Sequence, residues 1–291
     1  MKTTMRETFG MALLAGVFLS AASVYAQGYD PGQQNPQNPP APSGQNPTPA
    51  KPPVTIDASP PPVNAEEEAA YKTIFELKPD EFARQIQLCE EFLKKYPESR
   101  YREGVYSRLT GAYLSAGEID KMLAAGEKAL ELNKDDVDVL ALMALVIPRR
   151  VNPAALDGNQ KLQRAETYAK RTIELLAVVP KPASLSDEDF TKVKNVKLSM
   201  CHSGLGFVYF HRQKYADSVT EFEQAAQLAS PPDPVDLFLL GLVLNETKRF
   251  ADAAAAFGRC SDIGGPMQDR CKQGMEDARK RAAAQPAPPK P

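Results

Sequence analysis

Catalysis needs side chains that move protons, attack carbon or hold a metal, and this chain carries few of them. It has two histidines, His202 and His211, nine residues apart. At 100° per residue they point to opposite sides of one helix, so that helix cannot bring them to a single metal ion. The four cysteines, Cys89, Cys201, Cys260 and Cys271, have no metal-ligand spacing. Cys89 and Cys201 fall on apolar faces and read as inert, small core residues. There is no phosphate-cradling glycine loop, spaced acid pair or nucleophile elbow. Glu66, Glu67 and Glu68 suit the acidic first turn of a helix. Arg149 and Arg150 follow Pro148 in an expected loop and read as a solvated pair. Arg279, Lys280 and Arg281 read as a solvated helix end. These residues predict no catalytic set, no metal and no cofactor, which leaves binding as the function.

The elements that must present a binding surface come next. A length of 291 residues allows one or two domains. The 35 basic and 37 acidic residues nearly balance, which argues against a nucleic-acid partner. Residues 1–26 read as a secretory signal: Lys2 and Arg6, an apolar core from Met11 to Leu19, then Val24, Tyr25 and Ala26 before a cut ahead of Gln27. An uncleaved anchor is the other reading of that segment. Its removal takes away one net positive charge, so the formal −2 of the chain becomes −3. No transmembrane span is expected in the mature chain. Residues 27–64 hold twelve of the 26 prolines, few charges and one aromatic, a composition that cannot bury enough apolar surface to offset chain entropy. They read as a disordered spacer, and 285–291 as a second loose end.

Between the tails, 65–284 reads as helix after helix. Apolar residues recur at three and four, as in Val219, Phe222, Ala225 and Ala226. Ser186 with Asp187, Glu188 and Asp189 marks a helix start. Pro231 and Pro232 mark a stop. Pro148 and Pro153 place a loop between helices over 136–147 and 159–178. Helices over 187–211 and 266–284 follow, the last polar enough to cap an open end.

The chain then repeats itself. Leu205, Gly206, Tyr215, Ala216, Asp217 and Phe222 recur 35 residues on as Leu240, Gly241, Phe250, Ala251, Asp252 and Phe257. An earlier stretch supplies Tyr106, Leu109, Thr110, Tyr113, Gly117, Ile119, Ala129 and Leu132, but carries Gly126 where an aromatic belongs. On these residues the chain resembles the tetratricopeptide repeat (TPR) family, whose unit is a helix–turn–helix of about 34 residues. The resemblance implies an all-α solenoid of antiparallel helix pairs with a C-terminal capping helix. Its clearest repeats are 199–232 and 233–265; earlier ones fall near 65–98, 99–134 and 135–182. A looser likeness to the outer-membrane-barrel assembly lipoproteins rests on the string from Phe92 to Tyr101, although no lipid-bearing cysteine follows the signal.

The resemblance also implies a concave groove lined by the first helix of each pair. Mapped here, it presents Met200, Ser203, Phe207, Phe210 and His211, then Val235, Phe238, Leu242, Asn245 and Glu246. His202 becomes a partly buried packing residue and His211 an exposed one. Such an aromatic, apolar surface suits a peptide or helix of a protein partner. The long helix over 187–211 or a tail folded onto the groove would cover it. In repeat register Cys260 and Cys271 both point inward across the turn at Gly264 and Gly265, leaving a disulfide or two buried thiols open. The expected function is a non-catalytic interaction scaffold or assembly factor of the cell envelope. A self-associating structural subunit is the alternative, and an enzyme accessory or divergent hydrolase a more distant one.

Overall fold

The computed structural model describes residues 64–285. The signal segment, the linker up to residue 63 and the tail from 286 lie outside the described residues. Among the described residues there are eleven α-helices, one short 3-10 turn and no strand. The helices are α1 (Ala65–Glu76), α2 (Phe82–Lys95), α3 (Arg102–Ser115), α4 (Ile119–Leu132), α5 (Val137–Arg150) and α6 (Gly158–Val178). They continue as α7 (Asp187–His211), α8 (Tyr215–Leu228), α9 (Pro234–Glu246), α10 (Phe250–Ile263) and α11 (Gln268–Ala284). None is long and apolar enough to cross a membrane.

Local chemistry sets the ends. Asn64, Asp136, Ser186 and Asp233 each turn a side-chain oxygen onto the free N–H groups that open α1, α5, α7 and α9. Pro234, lacking an N–H, takes the first position of α9. Three helix-to-helix turns share one geometry. Gly117, Gln213 and Lys248 all have positive φ, at 74°, 59° and 62°. After each, the next N–H reaches back five residues: Glu118 to Tyr113, Lys214 to Tyr209, and Arg249 to Leu244. This is the Schellman stop, which satisfies the last carbonyls of the helix and swings the chain into an antiparallel partner. A common turn repeated in α3–α4, α7–α8 and α9–α10 makes the helix pair the unit of construction.

Packing joins the pairs. A Cβ on Gly206 would lie 2.7 Å from the Phe222 ring, and one on Gly241 would lie 2.6 Å from the Phe257 ring. The glycine admits the partner helix and the aromatic fills the space, so Phe222 and Phe257 are fully buried. Gly274 of α11 also meets the Phe257 ring, and the capping helix thereby continues the same scheme. The Ser218 hydroxyl donates to Gly206 O at 2.8 Å. At Gly126, where the sequence lacks the aromatic, Met143 of α5 fills the gap, with its sulfur 2.7 Å from where a Cβ would stand. The helices stack in chain order as a solenoid of antiparallel pairs, and first helices also meet across units, α3 with α5 and α5 with α7. Two apolar cores result. One runs from Ile74 to Val208 and the other from Phe207 to Ala278, so they meet on α7.

One boundary differs from expectation. Pro148 lies inside α5, which continues through Arg150, instead of starting a loop. The missing proline N–H frees the carbonyl of Ala144, and α7 closes on that point: a Cβ on Gly204 would lie 2.3 Å from Ala144 O. Burial against α7 thus supports a helical turn that propensity alone disfavours. Arg149 is correspondingly buried, with 5% of its side chain exposed.

Cys260 and Cys271 are joined, with Cα atoms 5.8 Å apart. Apart from Cys271, α11 buries only Ala278, so the bridge holds a helix with little apolar grip of its own. Cys89 and Cys201 are free and buried. Burial pushes both thiols up to about 12, which keeps them protonated and unreactive.

Melts and alkylation check this packing. In thermal or denaturant melts, Phe222→Ala and Phe257→Ala each lose roughly 3–5 kcal/mol. Gly204→Ala also destabilises, because backbone must move. Gly258→Ala gains roughly 0.5–1 kcal/mol, since only the Met275 sulfur lies near, at 3.6 Å. Alkylation under denaturing conditions, read by intact mass, should add two groups without reductant and four after reduction; four without reductant would mean that Cys260 and Cys271 are not bridged.

Candidate binding face

The residues that the repeat register assigns to the groove separate into two layers. Met200, Phe207 and Phe238 are buried, at 7%, 6% and 7% exposure, as are Ser203 and Val235. Phe207 meets Phe222 edge-on with ring centroids 5.5 Å apart, and Phe238 meets Phe257 in the same way at 5.6 Å. These aromatics therefore serve the core that follows each first helix, and offer little surface to a partner. Phe210, His211, Leu242 and Asn245 remain partly exposed, and Glu246 is open to solvent. They lie along the C-terminal halves of α7 and α9, where the first helices run out before their Schellman turns.

This strip has its own electrostatics. His211 is half-buried, not open as expected, and its Nε2 lies 2.8 Å from Pro148 O. A carbonyl only accepts, so Nε2 carries the proton in that contact. Burial lowers the His211 pKa below its ordinary value, and the Pro148 carbonyl opposes that shift. The Phe210 ring stands against His211 at 5.9 Å and Tyr215 at 6.3 Å. The Asn245 Oδ1 is buried without a hydrogen-bond partner. His202, on the opposite side of α7, pairs through Nδ1 with Glu221 of α8 at 2.7 Å. The two histidines are thus tied to different neighbours, and among the described residues no cluster of His, Cys, Asp and Glu could hold a metal.

Beneath the strip lies a group that the sequence reading assigned to solvent. The Arg149 Nη2 shares its two N–H groups among Ser203 Oγ at 2.7 Å, Asp233 Oδ2 at 2.8 Å and Asp236 Oδ1 at 3.0 Å, while its Nε is buried without a hydrogen-bond partner. Its guanidinium sits 4.9 Å from the centre of the Phe207 ring. Ser203 donates in turn to Asp236 Oδ1 at 2.7 Å. The correction has a simple cause: two carboxylates and a hydroxyl make burial of the guanidinium tolerable, and no loop forms to carry it into water. A signal was present in Asp236 itself, a lone acid inside the apolar run Val235–Leu244. A helix apolar on all sides is buried, so its one acid needs a buried cation.

One cation facing two carboxylates leaves the site one charge short of balance. Burial first, then the charge of Asp233, push the Asp236 carboxyl up to about 7, while Arg149 and the Ser203 hydroxyl pull it down. The folded chain therefore holds a proton that the unfolded chain has released above about pH 4. This contribution to stability is full at low pH and is lost as pH rises through about 7. Denaturant melts between pH 4 and 8 should show that fall, and Asp236→Asn, which cannot titrate, should remove the part of it near pH 7; Asp136, whose carboxyl burial pushes up to about 6, keeps a fall at lower pH, and His211, whose pKa burial lowers, acts in the opposite sense.

No family model matches the chain, and no curated protein matches it. Solved structures do. A crystal structure of a thermophilic TPR protein from Thermus thermophilus is similar over 74% of this chain and 99% of that one, with 14% identity and a TM-score of 0.45. The helix-pair architecture described above stands on this chain's own turns and glycine–aromatic contacts.

Proposed function

We propose that the chain is a non-catalytic protein-interaction scaffold or assembly factor of the cell envelope. It is exported by the segment 1–26, cut near Ala26 and held off its exit point by the proline-rich stretch that follows. Its helix pairs bind a peptide or helix of a partner protein. The observation that carries this reading is the strip of Phe210, His211, Leu242 and Asn245, a half-open apolar and aromatic edge on consecutive first helices. The edge offers aromatic contact from Phe210, an amide from Asn245 and a negative charge from Glu246. Phe207 and Phe238 lie beneath it and shape the helices that carry it.

The strip can be altered without touching the core. Phe210→Ser with Leu242→Ser should melt within a few degrees of the native chain. Immobilised residues 27–291 should retain an envelope protein that this variant releases. Equal retention by both would overturn the reading. The same protein isolated after export should have the intact mass of a chain beginning at Gln27.

A further inference from the structure

Arg149 does more than satisfy two acids. It is the penultimate residue of α5, and its partners lie on α7 and on α9, 54, 84 and 87 residues further along the chain. Helices α5 and α9 otherwise barely touch. A repeat array is joined between neighbours. Here one side chain passes from the third helix pair across the first helix of the fourth to the start of the fifth. It does so where the two apolar cores meet, on α7 beside Phe207 and Val208.

The end of α5 is held from two sides. His211 bonds Pro148 O, and Arg149 bonds Ser203, Asp233 and Asp236. Asp233 is also the N-cap of α9, its other oxygen accepting from the Val235 N–H at 2.9 Å. The carboxylate that starts α9 is therefore the one that Arg149 grips, and the entry direction of that helix depends on the contact. The guanidinium also lies over the Phe207 ring, which meets Phe222 in a T-shaped contact.

We propose that Arg149 is an internal latch. It fixes the angle between the array's two halves, the one ending at α7 and the one beginning there, and it keeps Phe207 and Ser203 covered on the inner face. With the latch released, the halves pivot about α7 and the floor under the exposed strip opens. The inference concerns the free chain and holds whatever binds the strip. Nearest-neighbour stacking alone leaves such a junction compliant, because each interface fixes only its own pair. A buried guanidinium whose Nη2 lies against acids from another helix instead holds the two ends together, since moving them apart strands a charge.

The test reads the junction as a distance across it. Cysteines carrying spin labels replace Asp120 on α4 and Arg259 on α10, both exposed and on opposite sides of the junction. The label-to-label distance distribution is then compared in three backgrounds: the native chain, Arg149→Ala, and Arg149→Ala with Asp236→Asn. The double substitution removes the more deeply buried acid along with the latch and leaves Asp233, which still caps α9 through the Val235 N–H, so that it folds even where the single variant is too unstable to study. A cooperative melt of the double variant confirms that it is folded. The latch predicts a narrow distribution in the native chain, and a shifted, broader one in both variants. Amide exchange within α1–α4 and within α10–α11 should stay unchanged, so that the movement is confined to the junction. Coincident distributions in the native chain and the folded double variant would overturn the proposal and make Arg149 a static core residue. Faster exchange throughout all helices would overturn it equally, by showing general loosening in place of a pivot.

Discussion

The distance of closest approach between paired helices governs the rest of this structure. At Gly206 and Gly241 the missing side chain lets a phenylalanine from the next helix enter to within van der Waals contact of the backbone. An alanine in that place would push the ring outward. Once the pair is fixed at this distance, its turn must be short, which the three Schellman stops provide. Its outer face is left apolar, which the next pair must cover. From α7 onward the order of helices follows from repeating this one contact, and α11 ends the series by presenting Gly274 to Phe257 while keeping a polar exterior.

The regular contact was legible in the sequence because it is local and periodic. Leu205–Gly206 and Phe222 lie within one unit and return 35 residues later, so glycine, aromatic and spacing could be read together. Helix 187–211 appears where periodicity and its Ser186 cap placed it. Exceptions to the pattern were not legible in the same way. Met143 replaces the aromatic missing at Gly126 from another helix pair, and no spacing rule ties those two positions. Arg149 was misread for a related reason. Beside Pro148 a local rule predicts a loop, while the acids that bury the arginine lie more than eighty residues away. Local propensity loses there to tertiary contacts that only folding brings together.

The groove residues show a subtler limit. Repeat register assigns Phe207 and Phe238 to the inner side of their helices, yet both are buried. Register gives the angle of a side chain around its helix, whereas exposure depends on how closely the next helix and the next unit approach. Where α8 and α10 supply Phe222 and Phe257 as edge-on partners, inward-pointing rings become core. What stays open is decided at the C-terminal ends of the first helices, where each turn carries the chain away and Phe210 and Leu242 stay partly exposed.

That arrangement separates two tasks along the same helix. The N-terminal part of α9 and the middle of α7 hold the array together through Asp233, Asp236, Ser203 and Phe207, all in contact with Arg149. The C-terminal ends carry Phe210, His211, Leu242 and Asn245. The tasks are still linked, because His211 donates its hydrogen bond to Pro148 O, one residue before the arginine that spans the junction. On the proposed reading, a partner that moved the His211 ring would disturb the last turn of α5, and whatever shifts that turn acts on Arg149. If the strip binds and Arg149 sets the junction as proposed, contact at the edge and angle at the junction meet in one short segment, Pro148–Arg149, buried inside a helix.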